Sequence, residues 1–237
     1  MAKHHTTKKE KQEQEGKETV EFFKDLDREA LQTERFLEKN QKPLIAVLGA
    51  LILGVLGYFA YQQFVVAPKN QEATLSYLAA QKNLQQGNDK EALGGKSAAN
   101  PGFLGTAENY SGTAVGKLSA YNAGLLKFKE GKFQEAYDLL DKFSSGNKTL
   151  MAMKYGAMAD CQANLNKSDD AMSLLDKATS ASKDPYTSYY FTRKAGLLAL
   201  SLKKKAEAKK YFTAIGEKYQ DYDNGMSDAY IEMVKYY

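Results

Sequence analysis

The chain has one cysteine and two histidines, and each scarcity narrows what it can do. A single Cys cannot close an intrachain disulfide, so whatever folds must fold on an apolar core. Both histidines, His4 and His5, lie at the extreme N-terminus. No imidazole is therefore left for a Ser-His-acid or Cys-His nucleophile in the remaining 232 residues. Two adjacent histidines without partner ligands do not make a metal site, and no Cys/His ligand spacing follows them. Gly94-Gly95-Lys96-Ser97 lacks the strand and the leading glycine of a phosphate loop. Net charge is only +4, with residues 1 to 42 carrying ten Lys/Arg and ten Asp/Glu, so no basic patch argues for nucleic acid. Enzymatic activity is not expected, and neither is a cofactor or a metal. Cys161, set among Met158, Ala159 and Ala163, reads as a small buried hydrophobe. Asn109, Asn147 and Asn166 open N-x-[ST] sequons that matter only in a eukaryotic secretory route.

Charge is also absent from Pro43 to Ala67 (PLIAVLGALILGVLGYFAYQQFVVA). About 20 apolar residues suffice for a helix to cross a hydrocarbon core. The run lies too far from the N-terminus, and is too long, for a cleaved signal, and Pro68 follows its one small-residue cleavage position. It predicts a single transmembrane helix over residues 43–67. Lys24, Arg28, Arg35, Lys39 and Lys42 precede it, whereas only Lys69 and Lys82 follow at similar distance. Five against two places the N-terminus in the cytoplasm and residues 68–237 across the membrane. Ala46, Ala50, Gly54 and Gly57 share one helical face, where small side chains let a second membrane helix approach.

On the N-terminal side, residues 1–16 are polar and of low complexity, which predicts a disordered tail. Residues 17–42 carry a helical stripe of Phe22, Leu26, Ala30, Thr33 and Leu37, with Phe23 and Phe36 at its margins. Such a juxtamembrane helix either lies on lipid or docks a partner. Pro43 marks a break before the span.

Beyond the span, three segments align: residues 118–143, 153–179 and 190–215. Their alanines Ala136, Ala171 and Ala208 are 35 and 37 residues apart, and a small residue stands twelve positions before each: Gly124, Ala159 and Gly196. These are predicted points of close helix contact. With the turn KEGKFQEA, the first copy's Gly124, Gly131, Phe133 and Ala136 resemble the tetratricopeptide repeat, a helix-turn-helix unit of about 34 residues. Asn166 and Lys203 stand where the later copies would carry the turn glycine. The fold class expected is all-α: one transmembrane helix, then a tetratricopeptide-like right-handed α-solenoid over residues 68–237. Residues 70–86 predict a first helix ended by Gly87. Residues 88–116 predict a short helix near 88–93, a long loop through Asn100-Pro101-Gly102, and a helix start near Gly105 or Thr106; residues 226–237 predict a closing helix.

In such arrays the first helix of each pair lines a concave face. By register that face would carry Tyr121, Leu125 and Phe128 from the first copy, Asp160 and Asn164 from the second, and Tyr190, Arg193 and Leu197 from the third. Sixteen tyrosines supply amphipathic rings, which give contact area with few rotors.

The segment RFLEKNQKPLIAVLGALILGVLGYFAYQQ, continued by NQEATLSYLAAQKNLQQG, is similar to the YfgM family, ancillary subunits of the bacterial Sec translocon. The resemblance covers residues 20–237. It implies a bacterial inner-membrane protein with a periplasmic repeat domain, lying beside SecYEG together with a PpiD-like membrane-anchored chaperone and meeting unfolded or extended clients. No catalytic residues transfer with it. A scaffold for cell-envelope assembly or division, or a regulator acting through the cytoplasmic helix, would use the same architecture.

Overall fold

The computed structural model describes residues 39–97 and 99–237. The predicted tail of residues 1–16 and the stripe from Phe22 to Leu37 lie outside the described residues. Two compact units divide the chain, Met1–Val65 and Val66–Tyr237.

In the first unit, residues 39–61 form a helix, α1, whose leucines, isoleucines and valines are exposed along its length. The helical run Lys39–Gln85 is long and apolar enough to cross a membrane. Lys39 to Lys42 are already helical, so the break expected before Pro43 does not occur there. A π-helical turn follows at Gln62–Val66. Pro68 cannot donate to the carbonyl four residues back, and widening of the preceding turn absorbs that mismatch.

The second unit is built from helical hairpins. The three predicted copies are α5 (Ala114–Lys129) with α6 (Phe133–Asp141), α7 (Lys148–Asn164) with α8 (Ser168–Ala181), and α9 (Pro185–Ser201) with α10 (Lys205–Lys218). Before them come α2 (Ala67–Gln85), α3 (Asp89–Gly94) and α4 (Gly102–Asn109); after them come α11 (Gln220–Asp223) and α12 (Asp228–Val234).

One turn recurs in all hairpins. Gly131, Asn166 and Lys203 adopt left-handed backbone, with φ of 76°, 60° and 58°. Each donates its N–H to the carbonyl three residues back, and the next residue donates to the carbonyl five back: Lys132 to Lys127 (3.0 Å), Lys167 to Gln162 (2.9 Å) and Lys204 to Ala199 (2.9 Å). This is a Schellman C-cap. The later copies thus keep the glycine's conformation without the glycine.

The same turn occurs a fourth time. Gly87 has φ of 76°, its N–H reaches Leu84 O at 3.0 Å, and Asn88 N–H reaches Asn83 O at 2.9 Å. Five residues on lies Ala92, fully buried, as are Ala136, Ala171 and Ala208 at the same offset. Twelve residues before Ala92 lies Ala80, also fully buried and equivalent to Gly124, Ala159 and Gly196. Hence α2–α3 is a complete first repeat. The sequence comparison missed it because 44 residues separate Ala92 from Ala136, against 35 and 37 thereafter. The surplus holds α4, which plugs the first inter-repeat space with Phe103; that ring is fully buried among Ala80, Ala92, Leu93, Ala123 and Leu126.

The short helix expected near residues 88–93 is α3, and the loop after it is shorter than expected. α4 starts at Gly102, three residues before the expected position, because Gly102 (φ 66°) and Gly95 (φ 74°) touch backbone to backbone; a Cβ on Gly102 would stand 2.4 Å from Gly95 N. Only glycine tolerates that combination of dihedral and contact.

Gly124 and Gly196 both lie where two helices approach closely. A Cβ on Gly124 would meet Leu140 Cγ at 2.8 Å, and one on Gly196 would meet Phe212 Cε2 at 2.9 Å. Neighbouring repeats are also tied by polar contacts. Lys154, buried on α7, donates to Asp141 O and Phe143 O, both at 2.9 Å, and so caps the C-terminus of α6. Tyr211 donates to Asp176 at 2.8 Å, one repeat back. At the far end α12 closes the stack as predicted: Val234 is buried and Tyr230 stacks on Phe212 at 5.1 Å between centroids.

Candidate functional site: a tyrosine-lined groove

The first helices α5, α7 and α9 lie side by side and enclose a groove of about 400 Å³. Gly156 makes it possible. A Cβ there would stand 2.1 Å from Phe191 Cε1, so the phenylalanine ring lies directly on the α7 backbone. Tyr190 sits edge-on to Phe191, with centroids 5.0 Å apart. Packing thus fixes the aromatic floor, while the side chains above it stay open to solvent: Tyr186 is 60 % exposed, Tyr190 50 % and Met153 44 %. Tyr121 forms the opposite wall. It packs on Phe143 at 5.1 Å, and burial raises its phenol above the usual tyrosine range.

A charged pair crosses the groove, with Lys194 Nζ of α9 2.6 Å from Asp160 Oδ2 of α7. Each side chain is about one-third exposed, so the pair orients more than it stabilises. The register of α9 is set at its start. Asp184 accepts from Thr187 N–H at 2.8 Å, and Pro185 occupies the first turn.

A second groove of about 370 Å³ shares Tyr186, Tyr190 and Lys194 with the first and adds Arg193, Leu197 and Met226. A buried polar cluster supports it from below. Asp223 accepts from Tyr189 Oη (2.8 Å), Ser227 Oγ (2.6 Å) and Ser227 N–H (2.7 Å), and Arg193 Nε donates to Ser227 Oγ at 3.3 Å. Burial alone would raise the Asp223 carboxyl, but the bonds from Ser227 and Tyr189 and the Arg193 charge outweigh it and hold the group below the usual carboxylate range. Burial, reinforced by the Asp223 carboxylate, pushes the Tyr189 phenol up to about 12. The cluster locks α11 and the start of α12 onto α9.

Five of the eight residues predicted by register line these two grooves: Tyr121, Asp160, Tyr190, Arg193 and Leu197. The other three do not. Leu125 is exposed on α5 outside both, Phe128 turns onto Phe133 at 5.3 Å, and Asn164 donates to Asp160 O of its own helix at 2.8 Å. Register reasoning missed Met153, Gly156, Tyr186, Lys194 and Met226. Tyr186 was within reach, because Asp184-Pro185 is an N-cap followed by a first-turn proline and puts the start of α9 five residues before the aligned segment.

No group of three or more His, Cys, Asp or Glu side chains comes together among the described residues. Cys161 is fully buried, and burial followed by the Asp160 charge raises its thiol to about 11, so it is a packing residue. In the first unit, Ala46, Ala50, Gly54 and Gly57 all lie on the exposed surface of α1, and Cβ atoms added to the two glycines would meet nothing within 4 Å.

The helical hairpins, their shared turn and the groove on the first helices agree with one comparison. A family model described as a tetratricopeptide repeat-like domain matches residues 34–233. The chain belongs to that family. No curated protein and no solved structure matches it. A tetratricopeptide repeat-like domain is a scaffold for protein–protein interaction, and its groove is where such a scaffold presents side chains to a partner.

Proposed function

We propose that the protein is an ancillary subunit of the bacterial Sec translocon: an adaptor anchored in the inner membrane by its single span, with its repeat domain in the periplasm. The groove holds a PpiD-like membrane-anchored chaperone or a polypeptide emerging from SecYEG. One observation carries the reading. Tyr186, Tyr190 and Met153, three large exposed side chains, converge in one groove beside the Lys194–Asp160 pair. Aromatic anchors in a partly desolvated pocket supply most of the energy of a protein contact, and a flanking charge pair sets orientation. The five-to-two excess of lysine and arginine before the span supports the orientation, and the resemblance of residues 20–237 to the YfgM family supports the choice of translocon. Binding is weak and brief, because a client in transit must be released. The span's Ala46, Ala50, Gly54 and Gly57 face packs against a membrane helix of the complex.

Mild solubilisation of membranes containing the full-length protein tests the proposal. SecYEG subunits and a chaperone should co-purify with it. The Tyr186→Ala/Tyr190→Ala variant should keep SecYEG and lose the chaperone or client. Absence of Sec components from both preparations would sink the reading.

A further inference from the structure

The repeat register exposes a second surface, at the end of the array opposite α12. In each later repeat, the face of the first helix that lies 13 and 10 residues before the anchor alanine is covered by the preceding hairpin. On α5 these are Ala123 and Leu126, in one cluster with Ala92 and Leu93 of α3 and with Phe103 of the inserted α4. On α7 they are Met158 and Cys161, in one cluster with Ala136 and Leu140 of α6. The same rule holds one turn earlier, where Ser119, Lys154 and Phe191 are all buried.

α2 is the first helix of the first repeat, and no hairpin precedes it within the unit. The matching face carries Leu75, Ala79 and Lys82, with Leu78 beside them. Leu75 is 62 % exposed and Leu78 54 % exposed. End repeats of a soluble array need a polar outer face. The chain meets that need at its other end with α12, yet here it leaves two leucines open. Exposed lysines bracket them, Lys69 before and Lys82 after, while Glu72 accepts from Tyr110 Oη.

We infer that this end of the array is completed by an α-helix of another protein, which takes the place a preceding second helix would occupy. Two features define that helix. It presents an apolar stripe to Leu75, Leu78 and Ala79, because apolar side chains share the clusters that bury the equivalent Ala123 and Leu126 of α5 and Met158 and Cys161 of α7. It carries carboxylates at the edge of the stripe, opposite Lys82 and Lys69, because a cation at the rim selects the opposite charge. This surface is separate from the tyrosine groove and stands whether or not that groove binds a client.

The test places a photo-reactive benzoylphenylalanine at Leu78 of the full-length protein in native membranes. The expected result is an adduct whose partner peptide, sequenced by mass spectrometry, has apolar residues at helical spacing flanked by Asp or Glu. Lys82→Glu should lower its yield roughly fivefold, as reversal of a rim charge does. Tyr190→Ala should leave the yield unchanged, which separates this surface from the groove. Because Leu78 and Lys82 are exposed, neither change removes core packing, and an unaltered melting temperature verifies that. Adducts only to lipid, adducts only to a second copy of this chain, a partner peptide without carboxylates, or a yield indifferent to Lys82→Glu would each overturn the inference.

Discussion

Replacing Lys203 by glycine changes one backbone preference and little else. Lys203 is exposed, its φ is 58°, and its N–H donates to Leu200 O within the hairpin turn. Left-handed backbone costs an L-residue with a Cβ about 1–2 kcal/mol. Glycine removes that cost but gives back about 0.5–1 kcal/mol through the greater freedom of the unfolded chain. Lys203→Gly should therefore stabilise the repeat domain by about 0.5–1 kcal/mol. For a domain of this size, that raises the melting temperature by about 1–4 °C. Asn166→Gly should gain less, because asparagine tolerates the left-handed region better than lysine. Gly131→Lys should lose about what Lys203→Gly gains. Thermal unfolding followed by far-ultraviolet circular dichroism, checked by urea titration at constant m, measures all three. A neutral or destabilising Lys203→Gly together with a harmless Gly131→Lys would refute the claim that one strained turn organises every hairpin.

Other consequences are independent of that turn. Gly156→Val would drive a side chain into Phe191, and overpacking of this kind costs about 1–3 kcal/mol, read in the same melts. Lys154→Ala leaves the carbonyls of Asp141 and Phe143 without their shared donor and should cost about 2–3 kcal/mol. The Asp223 cluster has a pH signature of known sign. Its carboxyl is held below the ordinary range, so its contribution is present above the unfolded carboxylate pKa and is lost as pH falls through the lower folded value. Tyr189 has the opposite sense: raised to about 12, its contribution is complete below the ordinary tyrosine value of about 10 and is lost as pH rises toward 12. Tyr189→Phe should flatten the alkaline limb of a stability–pH curve.

How much of this was legible in the sequence depends on distance along the chain. The long apolar helix is legible because Pro43 to Ala67 is one uncharged run of membrane-crossing length. Three hairpins were legible because Ala136, Ala171 and Ala208 recur near the repeat length, each with a small residue twelve positions earlier. The fourth hid behind α4, although its signal of Ala80, Gly87 and Ala92 has the same internal spacing as the others. An inserted helix lengthens the period without touching the hairpin, so a search at fixed period passes over it. The groove was half legible. Helical register placed Tyr190, Arg193 and Leu197 on one face of α9, but register cannot say whether an aromatic ring on that face opens to solvent or turns inward. Phe128 turned inward because Phe133 lies just across the hairpin turn. Tyr186 stayed open above a floor made by Phe191 on Gly156, a contact between repeats that neither local sequence reveals.

The central claim is that the groove between α7 and α9 holds a polypeptide at the translocon. In-cell photo-crosslinking from a benzoylphenylalanine placed at Tyr190, with the same probe at exposed Lys209 as control, tests it most directly. Adducts are expected from position 190 to a membrane-anchored chaperone or to secretory chains in transit, and none of these from position 209. Equal adducts from both positions, or adducts from position 190 to neither class of protein, would contradict it.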